Sequence, residues 1–120
     1  MSYVDSFVLP VPKKNLAAYK KMAKTAARVW MDHGALSYME CVADDVKPGK
    51  VTSFPQSVKL KPSEIVVVAV VTYKSRAQRD AVMRKVMKDT RLTEMMDPKS
   101  YPFDPKRMFW GGFKPIVEVS

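Results

Sequence analysis

The stretch that most constrains this chain is Ile65–Val71, seven consecutive residues without one polar side chain. Strands with one face in water alternate apolar and polar residues, whereas strands covered on both faces read as unbroken apolar runs. Glu64–Tyr73 is therefore predicted as a strand with no wet face. Tyr3–Val11 repeats the property: Tyr3, Phe7 and Leu9 share one parity, while Val4 and Val8 share the other. Any fold for this chain has to cover two sheet faces. The run is far short of the roughly 20 residues a membrane helix needs, so no membrane partner is expected.

Between the two predicted strands, Asn15–His33 holds neither Pro nor Gly. Leu16, Tyr19, Ala23, Ala26 and Trp30 recur at steps of three and four, which places them on one stripe of a helix. Gly34 suits the left-handed position that ends one. Ala35–Ala43 reads as a second strand. Asp44–Pro62, with Pro48, Gly49, Pro55 and Pro62, reads as an irregular connection. Ser75 is a candidate N-cap for a second helix over Arg76–Lys88. Asp89–Lys106 carries three prolines and one expected helical turn around Leu92–Met96. Arg107–Val119 reads as a fourth strand, in which Gly111 and Gly112 mark a bulge or a close backbone approach.

The order β-α-β-β-α-β is the ferredoxin-like split pattern. It predicts one α+β domain over 1–120, a four-stranded antiparallel sheet with two helices on one face. Two helices cover only one face. An open apolar face of several strands exceeds the few hundred Å² that monomers usually expose. A second copy laid sheet to sheet, closing a dimeric α/β barrel, is the expected solution, so the first partner is a homodimer mate.

Lys and Arg number 21 against 12 Asp and Glu, a formal charge of +9. With 47% hydrophobic residues the chain is ordinary for a globular protein. One cysteine, Cys41, excludes an internal disulfide and a cysteine-based zinc cluster. One histidine, His33, excludes a multi-histidine metal site. The N-terminus has no basic segment ahead of an apolar stretch, so no signal peptide is expected. A reduced, cytoplasmic protein with no metal and no cofactor follows as the expectation. No dinucleotide-binding, phosphate-binding or nucleophile-elbow motif is present.

Three polar residues break apolar patterns. Asp5 shares its strand parity with Tyr3, Phe7 and Leu9, and a buried carboxylate is costly unless paired. It fits either a base in a cavity or a structural partner for an arginine. His33 follows Trp30 by three residues at a helix end, where it serves as a proton carrier or as a cap. Arg79 lies on the stripe of Val82 and Val86 and needs an internal carboxylate (Asp5, Asp44 or Asp45) or an anionic ligand. Asp5 and His33 are thus the candidate catalytic residues. Arg79, with the aromatics Trp30, Phe54 and Trp110, is a candidate substrate contact, and Tyr38 and Phe113 are further aromatics for such a pocket, although aromatics at these spacings also suit a core or a dimer interface. Lys20, Lys21, Lys24 and Arg28 on the first helix, with Arg76, Arg79, Arg84, Lys85 and Lys88 on the second, predict a basic outer surface. That surface suits solvation or RNA.

Five stretches resemble the YbaA-like bacterial proteins of unknown function: Val29–Leu36, Ala43–Val46, Thr52–Pro55, Tyr73–Asp80 and Pro102–Phe113. The resemblance spans nearly the whole chain. It implies the dimeric α/β-barrel group, whose relatives include cofactor-free monooxygenases, haem-degrading enzymes and muconolactone-isomerase-type proteins. It carries no catalytic residues with it. Residues and resemblance together predict a protein that binds or transforms a small molecule, an anionic one included, between sheet and helices. A basic RNA-binding module is the alternative.

Overall fold

The computed structural model describes residues 2–120. Its strands are β1 (Tyr3–Pro12), β2 (Ser37–Val42), β3 (Glu64–Tyr73) and β4 (Phe109–Phe113), all antiparallel neighbours in the order β2-β3-β1-β4. The two central strands are the two whose sequences carry apolar side chains on both faces. Helices α1 (Leu16–Asp32) and α2 (Arg76–Val86) follow β1 and β3 and pack on one face, completing the ferredoxin-like βαββαβ fold.

Register lines up the side chains that face the helices. Glu40, Ala69, Phe7 and Trp110 form one row across the sheet, and Tyr38, Val71, Asp5 and Gly112 form the next. On these rows α1 lays Tyr19 and Trp30, and α2 lays Val82 and Val86. The core divides in two. One cluster gathers Val29, Trp30, Val71, Tyr73, Val82 and Val86, and the other Leu9, Val11, Tyr19 and Val67. Between them α1 presents the small side chains Ala23 and Ala26, which leaves space above the row of Glu40 and Phe7.

Local chemistry sets the element ends. Ser75 caps α2 by accepting a hydrogen bond from the backbone N–H of Gln78 at 3.1 Å. Gly34 ends α1 at φ +114°, where a side chain would be strained. Three aspartates, Asp89, Asp97 and Asp104, each accept from the backbone N–H two residues on. They open single turns at Thr90–Thr93, Pro98–Ser100 and Pro105–Arg107. The first of these turns starts before the expected Leu92, because Asp89 caps it. Strand β4 is shorter than the expected Arg107–Val119. Val4 pairs with Phe113 and β1 begins at Tyr3, so β4 runs out of partners there, and Pro115 has no N–H for a ladder. No bulge occurs at Gly111 or Gly112; the register with β1 runs through both.

The other sheet face carries neither α1 nor α2; in the otherwise irregular connection after β2, the single turn Phe54–Ser57, capped by Ser53, lies beside its Val66–Val68 end. Val4, Val8, Val68 and Val70 share this face with Met39 and Phe113, which are 59% and 58% exposed. Among the described residues no helix is long and apolar enough to cross a membrane.

Candidate functional site

A cavity of about 210 Å³ lies between the sheet and α1. Phe7, Leu9, Tyr38 and Glu40 form its floor, and Tyr19, Met22, Ala23 and Ala26 its helix wall. The roof is the irregular chain after α2, which contributes Leu92, Met96, Tyr101 and Phe103. The roof packs on itself and on the wall: Tyr101 stacks on Phe103 at 5.6 Å, and Phe103 meets Tyr19 edge-on at 5.7 Å. Asn15 ties it to the start of α1 by donating to the Pro102 carbonyl at 3.1 Å. Met87 and Met96, both half-exposed, stand at the rim.

Glu40 is the one charged side chain on the cavity lining. Its carboxylate accepts from two phenols, Tyr38 at 2.7 Å and Tyr19 from the opposite wall. Burial, and then the charge of Glu40 and its hydrogen bond, push both phenols far above the ordinary tyrosine range. Both therefore stay protonated donors. The arrangement presents a fixed carboxylate to an apolar space, able to accept a hydrogen bond or a proton from a guest.

Ion pairs hold the roof at both ends. At its start Asp89 accepts from Arg91 at 2.7 and 3.0 Å and pairs with His33 at 2.8 Å. Arg91 also reaches Asp32 at the end of α1, at 2.7 Å. The hydrogen bonds from Arg91 and His33 hold the Asp89 carboxyl far below its usual range. At the other end Arg107 grips Glu64 with two hydrogen bonds of 2.7 and 2.6 Å. It also bonds Asp104 at 3.0 Å and the Lys59 carbonyl at 3.1 Å. This grip lowers the Glu64 pKa against the cost of its burial. A depressed pKa contributes stability above the unfolded value near about 4.3 and loses it as pH falls through the folded value. The contribution of Glu64 to the melting temperature is expected to stay flat from pH 7 to 5 and to drop below about pH 4. Glu64→Gln should be less stable at pH 7 and less acid-sensitive. A Glu64→Gln curve parallel to the parent would refute that role.

Asp5 and Arg79 meet in a second polar cluster. Asp5 is fully buried. It accepts from Tyr73 Oη at 2.9 Å and from Arg79 Nη1 at 3.3 Å, and Tyr73 accepts in turn from Trp30 Nε1 at 3.0 Å. Arg79, 13% exposed, also donates to Tyr3 Oη at 3.3 Å and sits 5.0 Å above the Tyr3 ring. Its Nε lies 3.0 Å from Asp80 as an ion contact without hydrogen-bond alignment. Desolvation raises the Asp5 pKa, opposed by the Tyr73 hydrogen bond and the Arg79 charge. Gly112 makes the room: a Cβ there would stand 2.5 Å from Tyr3 Oη and 2.9 Å from Arg79 Nη2.

The residues singled out from sequence are thus distributed. Asp5 and Arg79 are brought together, and each satisfies the other. His33 pairs with Asp89 instead. Trp30 donates to Tyr73 within the core, Trp110 stacks on Phe7 at 5.6 Å, and Phe54 lies half-exposed beside the bare sheet face. None of these six lines the cavity; of the two further aromatics Tyr38 does, and Phe113 lies on the opposite sheet face. Glu40 was missed. Its signal was present, since Tyr38, Glu40 and Val42 share one parity of the second strand, the same intrusion that marked Asp5. Among the described residues no three His, Cys, Asp or Glu side chains are grouped to hold a metal.

With the geometry in hand, known proteins show what the chain is similar to. The uncharacterized protein YbaA of Escherichia coli K12 is 45% identical over 118 residues, covering 98% of this chain and 99% of that one. The YbaA of Shigella flexneri matches to the same extent. Among solved structures, a dimeric ferredoxin-like protein from an uncultured marine organism superposes with a TM-score of 0.60 at 15% identity, covering 99% of this chain and all of that one. A nipsnap family protein of unknown function from Agrobacterium tumefaciens gives 0.59 at 11% identity, covering 95% and 87%. Both likenesses are of fold. The model of a family described as protein of unknown function, DUF1428, matches residues 2–105, and the chain belongs to that family.

Proposed function

We propose that this protein is a homodimer that binds a small, largely apolar molecule between sheet and helices, with Glu40 as the polar contact. The observation that carries the reading is the cavity itself, apolar on every side except for one carboxylate clamped by two tyrosines. Convergent polar groups in an apolar pocket are the usual look of a small-molecule site. Methionines at 22, 87, 96 and 108 add walls that adapt to a guest's shape. The first expectation of an anionic ligand rested on Arg79, whose guanidinium is taken up by Asp5 and Tyr3. Asp5, Arg79 and His33 support the site from behind by fixing β1, α2 and the roof.

The dimer is supported by the bare apolar sheet face and by solved neighbours that are described as dimeric. Indole is the first probe. Calorimetry should give saturable heat with the wild-type protein, and Ala23→Leu, which fills the cavity, should abolish it while the circular dichroism stays unchanged. No saturable heat with wild type would overturn the reading.

A second reading rests on Lys20, Lys21, Lys24 and Arg28 of α1, none of which has a carboxylate within ion-pair distance among the described residues. Binding of single-stranded RNA that weakens steeply with salt would favour it, because phosphate contacts release counterions.

A further inference from the structure

We propose that this cavity selects uncharged ligands that donate a hydrogen bond and rejects carboxylates. The proposal rests on the reading of the cavity as a ligand site and adds the chemistry of the guest.

It follows from counting donors and acceptors. The Glu40 carboxylate is acceptor-only and offers about four lone-pair positions. Tyr38 and Tyr19 occupy one on each oxygen, so both oxygens keep acceptor capacity. The two phenols have spent their only protons on Glu40 and show the cavity lone pairs alone. The polar cluster of Glu40, Tyr19 and Tyr38 thus presents three acceptor groups and no free donor. The remaining hydroxyl on the lining, Tyr101, belongs to the roof, where its ring stacks on Phe103; its O–H is the one neutral donor left to a guest, and it brings no positive charge. No Lys, Arg or His lines the space. A guest carboxylate would therefore face the Glu40 charge with no cation on the same lining to offset the repulsion; Lys20 lines only the adjoining hollow that shares Tyr19, Ala23 and Glu40. A hydroxyl or N–H on the guest meets a charged acceptor, the stronger class of hydrogen bond.

Size limits the rest of the guest. A dry cavity of about 150 Å³ accepts benzene, so about 210 Å³ suits one or two fused rings. Phe7, Tyr101 and Phe103 supply faces and edges for such rings.

The test is a matched series of one shape and three polar groups, measured by calorimetry on the full chain. 2-Naphthol carries a donor, 2-methylnaphthalene carries none, and 2-naphthoate carries an anion. The expected order is naphthol about tenfold tighter than methylnaphthalene, with naphthoate undetected at the same concentrations. Glu40→Gln keeps the shape and removes the charge, and should narrow the gap between naphthol and naphthoate at least tenfold. Naphthoate binding as tightly as naphthol to the wild type would overturn this inference and leave the cavity reading standing. Equal binding of naphthol and methylnaphthalene would overturn the donor requirement. Binding of none of the three would overturn the cavity reading and this inference with it. The wild-type series decides the matter even where Glu40→Gln fails to fold.

Discussion

Arg79→Ala is expected to lower the melting temperature by more than about 10 °C. The substitution strands Asp5, which is fully buried and whose other partner is the neutral Tyr73. Removing one member of a buried pair costs about 3–5 kcal/mol, because an uncompensated charge is left behind. For a domain of this length each kcal/mol moves the transition by several degrees. Asp5→Asn combined with Arg79→Met should recover much of the loss, since it removes both charges and keeps the volume. Thermal unfolding at one fixed protein concentration reads both variants. An Arg79→Ala protein that melts with the parent would show that the pair contributes nothing to the fold. A double variant as unstable as Arg79→Ala would show that the loss is one of packing.

The second large effect is expected on the bare sheet face. Val68→Asp or Val70→Asp places a charge among Val4, Val8, Phe109 and Phe113, where the second copy is proposed to pack. In a monomer these positions face solvent and an aspartate costs little. In a dimer the charge is buried without a partner, at several kcal/mol, and dissociation rises by more than about a hundredfold. Light scattering should give roughly 27 kDa for the parent, twice the 13.6 kDa chain, and the monomer mass for the variants. A parent that runs as a monomer at micromolar concentration would refute the dimer.

How much of this could be read beforehand depended on whether a feature was periodic. Strand β3 was predicted to its terminal residues, because a continuous apolar run between Pro62 and Ser75 admits few other boundaries. Ser75 was legible as a cap because cap chemistry is local. Asp5 and Arg79 were legible as breaks in a pattern, and both are indeed interior. What a break in pattern does not reveal is which partner satisfies it. Asp5 and Arg79 found each other, so neither faces the cavity, while Glu40 broke the same rule on a short strand and does. The end of β4 depended on the length of its neighbour, a tertiary fact absent from Lys114–Ser120 itself. The roof was the least legible part. Three one-turn helices with aspartate caps have no period to detect, and Arg91 and Arg107 reach Asp32 and Glu64 across long separations.

Gly112 carries a consequence for how such chains diverge. The space it leaves is occupied by Tyr3 and Arg79, and a methyl group there would stand too close to both. Positions 5, 79 and 112, far apart in the chain, are therefore predicted to vary together. A relative with a side chain at 112 is expected to lack the arginine at 79 and, with it, the aspartate at 5. The first step along that path is blocked one mutation at a time: alanine at 112 displaces the guanidinium, and loss of the guanidinium strands the carboxylate. Asparagine at 5 opens the path, since it removes the charge that makes the other two changes costly. Alignments of distant members should then hold either all three residues or none, with asparagine at 5 marking the chains caught in between.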